Sequence, residues 1–199
     1  MTFPHQFFLP NIYTGIYSKH PIVDKGYVDF GQQINKCLWA DIAIGVDTIR
    51  FYTMHLAPNR HDGIVPLVLN QEKKEQVDIW HLIGLVKYYE IFTDKRATEA
   101  TIMRQHQRAS PYPCILTGDF NDPPQTYTYS IASEGLKDTF LESGFGIGGT
   151  HGSAVPGLRI DYILTDPRFT VFNHKVFDVP FSDHYLVQAT LEYKNKDKN

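Results

Sequence analysis

CILTGDFND, Cys114 to Asp122, runs from an apolar stretch directly into two carboxylates and a carboxamide. CILTG is a short run of the kind buried in a sheet, and Pro111 and Pro113 before it stop any helix. Asp119, Asn121 and Asp122 therefore fall at the C-terminal end of a strand, ahead of Pro123 and Pro124. Taken alone, a turn explains them, because Asp and Asn side chains bond nearby backbone groups, and Asp122 suits a cap on the turn into the two prolines. The alternative is a polar pocket, and three other strand-like runs bear on it. RIDYIL sets Asp161 among Ile160, Tyr162, Ile163 and Leu164; SDHYLV sets Asp183 and His184 just before a strand; TMHL ends another at His55. A carboxylate in or beside an apolar strand is costly unless paired or ligating, so several such strands ending in acid or imidazole imply a shared site. For His55, an edge histidine satisfied within the fold is an equal alternative.

Outward from this stretch, the chain before it reads as consecutive antiparallel strands in GIYSKHPIVDKGYVDF, KCLWADIAIG and DTIRFYTMHL, with a hairpin break at Gly45 to Asp47. A polar connector follows His55. Helices are expected over Val77 to Phe92 and Asp94 to Arg108, where Leu82, Leu85, Val86 and Tyr89 keep helical spacing. Beyond the acidic cluster come a short helix near Tyr127 to Ser133, a glycine-rich loop at GFGIGGT, and strands at LRIDYILTD, TVFNHKVFD and HYLVQATLEY. GFGIGGT lacks the feeding strand, following helix and spacing of a dinucleotide fingerprint, and reads as a plain loop. The tail KNKDKN is expected to fray.

Composition bounds the possibilities. A length of 199 residues suits one domain, residues 1–199, and hydrophobic and charged shares of 42% and 21% suit a packed core. With 19 Lys+Arg against 22 Asp+Glu, the net charge of −3 lacks the broad attraction of a strong non-specific nucleic-acid binder. Cys37 and Cys114 have no metal-site spacing and read as buried thiols. No apolar run approaches the ~18 residues of a membrane span, and MTFPHQFFLPN has neither the basic start nor the apolar length of a signal peptide.

GDFND, RIDYIL and SDHYLV, in that order, resemble the closing motifs of the endonuclease/exonuclease/phosphatase superfamily, the deoxyribonuclease I-like metal-dependent phosphoesterases. GIYSKHPIVDKG is similar to the family's Ser-Lys-x-Pro-Ile strand-turn, TIRFYTMHL to its Asn-x-His-Leu strand, and KRATEATIMRQHQRASPYPCILTGDFND to its helix-into-strand unit. The resemblance covers about Gly15 to Leu191. It implies an α+β fold, the four-layer α/β/β/α sandwich, and a hydrolase acting on a phosphodiester or phosphomonoester with Mg²⁺ or Mn²⁺. By the same resemblance Asp119 orients or deprotonates the attacking water, and Asn121 bonds water and a phosphate oxygen. Asp183 helps ligate the metal, His184 contacts the phosphate, Asp161 fixes the His184 tautomer, and His55 is a second phosphate-side donor. Thr150, before His151, lies where the family places a polar loop residue, and a structural role is the expectation there.

Two departures stand against the matches. Thr53 occupies the first position of the Asn-x-His-Leu strand, replacing an amide with a shorter hydroxyl. The family's N-terminal Asn-x-Arg strand and its Gln-Glu metal-binding motif do not occur before GIYSKHPI, which only about fourteen residues precede. The chain therefore reads as the C-terminal portion of the full domain, incomplete at the N-terminus by more than ~60 residues. An exposed sheet edge would then invite self-association. The implied substrate is a phosphate ester, whether nucleic acid, phospholipid headgroup or inositol phosphate; any localisation signal could lie outside this chain. The competing class is a degenerate binding module that keeps the sandwich without the chemistry.

Overall fold

The strand-like runs before residue 56 pair antiparallel in the computed structural model, as expected, but Lys36–Ile44 and Asp47–His55 carry no exposed side chain. The structure describes residues 2–31, 35–58, 79–152 and 157–194, with the backbone alone for 79–91. The connector after Pro58 lies outside the described residues, as do Val77, Asp78 and the tail from Asn195.

β1 (His5–Phe8) and β2 (Gly15–Ser18) form a two-stranded antiparallel sheet. The main sheet contains β3 (Ile22–Asp29), β4 (Lys36–Ile44), β5 (Asp47–His55), β6 (Cys114–Asp119), β7 (Lys137–Asp138) and β8 (Asp161–Thr165), in the order β3-β4-β5-β6-β8-β7. β9 (Phe169–Phe177) and β10 (Leu186–Tyr193) make a third, antiparallel sheet. The β4–β5 hairpin closes at Ile44↔Asp47, and Gly45 there takes a φ of 64°, a conformation glycine adopts without steric cost. In the main sheet only β5 and β6 run parallel, and a parallel pair needs a crossover. α1 (Ile79–Arg108) lies in it, and α2 (Tyr127–Ser133) and α3 (Thr139–Ser143) follow β6.

α1 corrects the expectation of two helices. No Gly or Pro interrupts the chain at Thr93, so one helix runs through it, with the Thr93 hydroxyl accepting from Arg96 Nη2 at 3.3 Å. β1, β7 and α3 were not anticipated; two are too short for a periodic signal.

The main sheet is buried on both faces. Tyr52, Met54, Leu116 and Leu164 pack with Ala100 and Met103 of α1 and Ala132 of α2. On the opposite face, Leu38, Ala40 and Ile42 meet Ile16 of β2, while Ile49 and Ile115 meet Phe169 of β9. A helical layer, a six-stranded sheet and a second β layer therefore stack in the α+β order of the deoxyribonuclease I-like sandwich. Cys37 and Cys114 are buried thiols outside any disulfide, as expected.

Candidate active site

β5 and β6 point the same way, so both deliver their last residues to one end of the sheet. His55 pairs with Asp119 in register, and Asp119 pairs in turn with Asp161, the first residue of β8. Three adjacent strands thus set an imidazole and two carboxylates side by side. The approach is tight: a Cβ on Gly118, whose φ is 141°, would lie 2.0 Å from the Met54 carbonyl oxygen. Glycine at 118 is what lets β6 carry Asp119 this close to β5.

His184 arrives from the loop before β10. Residues 150–152 and 183–185 are stitched together by Gly152 N–H donating to the Asp183 carbonyl and Tyr185 N–H to that of Thr150, each at 2.8 Å. The buried Thr150 hydroxyl accepts from the amides of Ile160 and Asp161, both at 3.0 Å, and so fixes the start of β8; its role is structural. His184 Nδ1 lies 3.0 Å and 3.2 Å from the two Asp161 carboxylate oxygens. Its Nε2 is 3.8 Å from Asp119 Oδ2, and His55 Nε2 is 3.6 Å from the same oxygen. Both distances are too long for direct hydrogen bonds. His55, Asp119, Asp161 and His184 line one open cleft of ≈ 450 Å³ together with Tyr13, Thr14, Thr53 and Ser182.

Electrostatics separates the four groups. Burial, and next the charge of Asp161, push the Asp119 carboxyl up to about 7 against the opposing Asn121 amide, His184 and Arg96. For His184, burial pulls downward but is outweighed by the Asp161 hydrogen bond and the charges of Asp161, Asp119 and Asp183, leaving it raised. His55 is lowered by burial and by His184. A neutral imidazole and an imidazolium-favouring one therefore flank Asp119.

The remaining predicted residues sit around this cluster. Asn121, at a φ of 52°, gives its backbone N–H to Asp119 Oδ1 at 2.7 Å. Its side-chain nitrogen lies 3.1 Å from the Leu56 carbonyl and 3.2 Å from Asp119 Oδ2. With both amide hydrogens engaged, Asn121 aims Asp119 in this structure. Asp183 is 79% exposed, with Oδ2 3.7 Å from His151 Nε2. Asp122 does not cap the turn: its fully buried carboxylate is 2.7 Å from Nη2 of the equally buried Arg96. His151 was passed over in the sequence as a mere neighbour of Thr150; its ring meets that of His184 edge-on at 4.7 Å. Set in the carboxylate-free stretch GGTHGS, it gave no spacing signal of its own.

The model of the Endonuclease/Exonuclease/phosphatase family matches residues 8–184. This chain belongs to that family. No curated relative matches it. Among solved structures, it is similar to a functionally unknown conserved protein from Enterococcus faecalis V583, with 15% identity over 90% of this chain and 70% of that one and a TM-score of 0.66. It is also similar to mannosyl-6-phosphatase Bt3783 of Bacteroides thetaiotaomicron VPI-5482, at 19% identity, 90% and 70% coverage and a TM-score of 0.62. D. rerio TDP2 complexed with single strand DNA product matches at 14% identity, 89% and 71% coverage and a TM-score of 0.60. At these identities the likenesses establish the fold.

Endonuclease/exonuclease/phosphatase enzymes are generally dependent on a divalent metal, and the donor set here suits one. Among the described residues, Asp119, Asp161 and His184 form one group, and His151, Asp183 and His184 another, each with ligand atoms within 4.8 Å of one another. The upward push on Asp119 from the neighbouring Asp161 is the signature of crowded negative charge that a cation relieves. In this family member Thr53 lines the cleft where the family motif has Asn.

Proposed function

We propose that this chain hydrolyses a phosphoester bond, a phosphodiester or a phosphomonoester, with Mg²⁺ or Mn²⁺. The observation that carries the proposal is the convergence of His55, Asp119, Asp161 and His184 on one cleft, with His184 hydrogen-bonded to Asp161. Asp183 would hold the metal, with His151 beside it, and the metal would supply positive charge to the phosphate. Asp119 is placed to accept a proton from water, and Asn121 holds it in place. His184, kept toward its imidazolium form by Asp161, faces the phosphate as a charged donor. His55 supplies a second, neutral donor from the far side of Asp119. The mannosyl-6-phosphatase neighbour favours a phosphoester substrate, and the net charge of −3 weighs against a large duplex footprint.

A second reading, a binding module without the chemistry, draws on Thr53. The two separate on one assay: hydrolysis of bis(p-nitrophenyl) phosphate by the chain, abolished by EDTA and by Asp119→Ala or His184→Ala. Activity unchanged in both variants would sink the enzymatic assignment. No Mg²⁺ or Mn²⁺ binding by calorimetry at millimolar concentration or below would favour the module.

A further inference from the structure

We infer that Arg96 is a positioning residue of this site, a buried clamp that holds the exits of β5 and β6 in fixed relation. Arg96 and Asp122 are both fully buried, with Nη2 2.7 Å from Oδ1. Arg96 Nη1 also donates to the Ala57 carbonyl at 3.2 Å, while the Ala57 N–H donates to Glu99 Oε2 at 2.8 Å. Two side chains from neighbouring positions on α1 thus grip both polar groups of one residue. Ala57 lies two residues beyond His55, and Asp122 one beyond Asn121. Between these grips the exits are cross-linked directly: Leu56 N–H donates to the Asp119 carbonyl at 3.0 Å, and Asn121 Nδ2 to the Leu56 carbonyl at 3.1 Å. Arg96 is not among the residues that line the cleft; it acts on the site through the two segments it holds and through its charge, which opposes the upward shift of Asp119.

Stability alone does not explain such a pair. Two charges removed from water lose hydration that their attraction only partly repays, and apolar pairs of similar volume are often as stable or more so. A guanidinium offers what an apolar side chain cannot, several donors in one plane: Nη1 bonds the Ala57 carbonyl, while Nη2 bonds the Thr93 hydroxyl and pairs by charge with Asp122. Displacements of about 1 Å at a reacting group cost on the order of 10²-fold in rate, so this geometry is worth keeping at the expense of hydration.

The test is the double variant Arg96→Met/Asp122→Val, which removes both charges and refills the space. Three quantities are read: the thermal midpoint, kcat and KM for bis(p-nitrophenyl) phosphate with MnCl₂, and hydrogen exchange at the amides of Leu56 and Asn121. The expected result is a midpoint within a few degrees of the parent, kcat lower by about tenfold or more at unchanged KM, and faster exchange at those two amides but not at Ile42 or Ile49. An unchanged kcat in a folded double variant, with exchange at Leu56 and Asn121 as in the parent, overturns the inference. If the double variant fails to fold, Arg96→Lys keeps the charge without the planar set of donors and is held to the same kinetic and exchange criteria. The kinetic arm rests on the phosphoesterase reading; a parent chain with no hydrolysis refutes that reading, and the exchange arm still decides the role of Arg96.

Discussion

Asp161 holds His184 through Nδ1, at 3.0 Å and 3.2 Å from its two carboxylate oxygens, so only Nε2 of that ring is turned toward Asp119. A histidine held this way is locked in tautomer and orientation, and its cationic form is favoured. Asp161→Asn keeps the shape and removes the charge. The alkaline limb of the rate profile should move to lower pH, and kcat should fall by about 10²-fold or more, as measured by hydrolysis of bis(p-nitrophenyl) phosphate across pH.

Asp119 titrates in the opposite sense to a salt-bridged carboxylate. Its folded value, about 7, stands above the ordinary 3.8, so the folded chain binds this proton more tightly than the unfolded chain does. Its contribution is fully present below about 4 and is lost as pH rises toward 7. In the metal-free protein, Asp119→Asn should therefore gain stability relative to the parent between pH 4 and pH 7, compared by thermal melts at each pH.

Removal of the proposed metal ligand should act on binding first. Asp183→Asn is expected to weaken Mn²⁺ affinity by roughly 10–100-fold or more in calorimetry, whereas Phe181→Ala, outside both donor groups, should leave it unchanged.

At Gly118 a methyl group has nowhere to go, since its Cβ would sit 2.0 Å from the Met54 carbonyl. Gly118→Ala should destabilise the fold by about 3 kcal/mol, read by urea denaturation, and should abolish activity by separating β6 from β5.

Thr150→Val is nearly isosteric but leaves the Ile160 and Asp161 amides without their acceptor. A loss of about 2 kcal/mol or more is expected in the same denaturation assay, together with reduced kcat as Asp161 loosens.

What the sequence made legible was local pattern and ordered motifs. Runs of apolar, β-branched and aromatic residues placed β4 and β5, and the prolines before Cys114 placed the start of β6. The helix at Tyr127–Ser133 matched its expected bounds, with Thr126 accepting from the Tyr129 amide as its cap. His55, Asp119, Asp161 and His184 were each visible as polar residues at apolar strand ends, and the sheet order brings them together. The misses share a cause. Asp122 looked like a turn cap because its partner, Arg96, lies on a helix that no local pattern connects to it. The Asn121 bond to the Leu56 carbonyl was equally invisible, because nothing in GDFND points to a residue 65 positions away. His151 needed the bridge between two loops to bring it beside His184. The helix runs on through Thr93, where the sequence has no Gly or Pro to break it.

The parallel pairing of β5 with β6 has a consequence for how the site comes into being. Asn121 and Leu56, which meet across that pair, are separated by 65 positions. The hairpins β3–β4 and β4–β5 close short loops and can nucleate early, whereas this contact must first overcome the entropy of closing a long one. The cleft is therefore a late product of folding: a chain with its hairpins formed but its crossover undocked would show strand structure and no binding. Appearance of metal affinity during refolding would time the docking of the crossover itself.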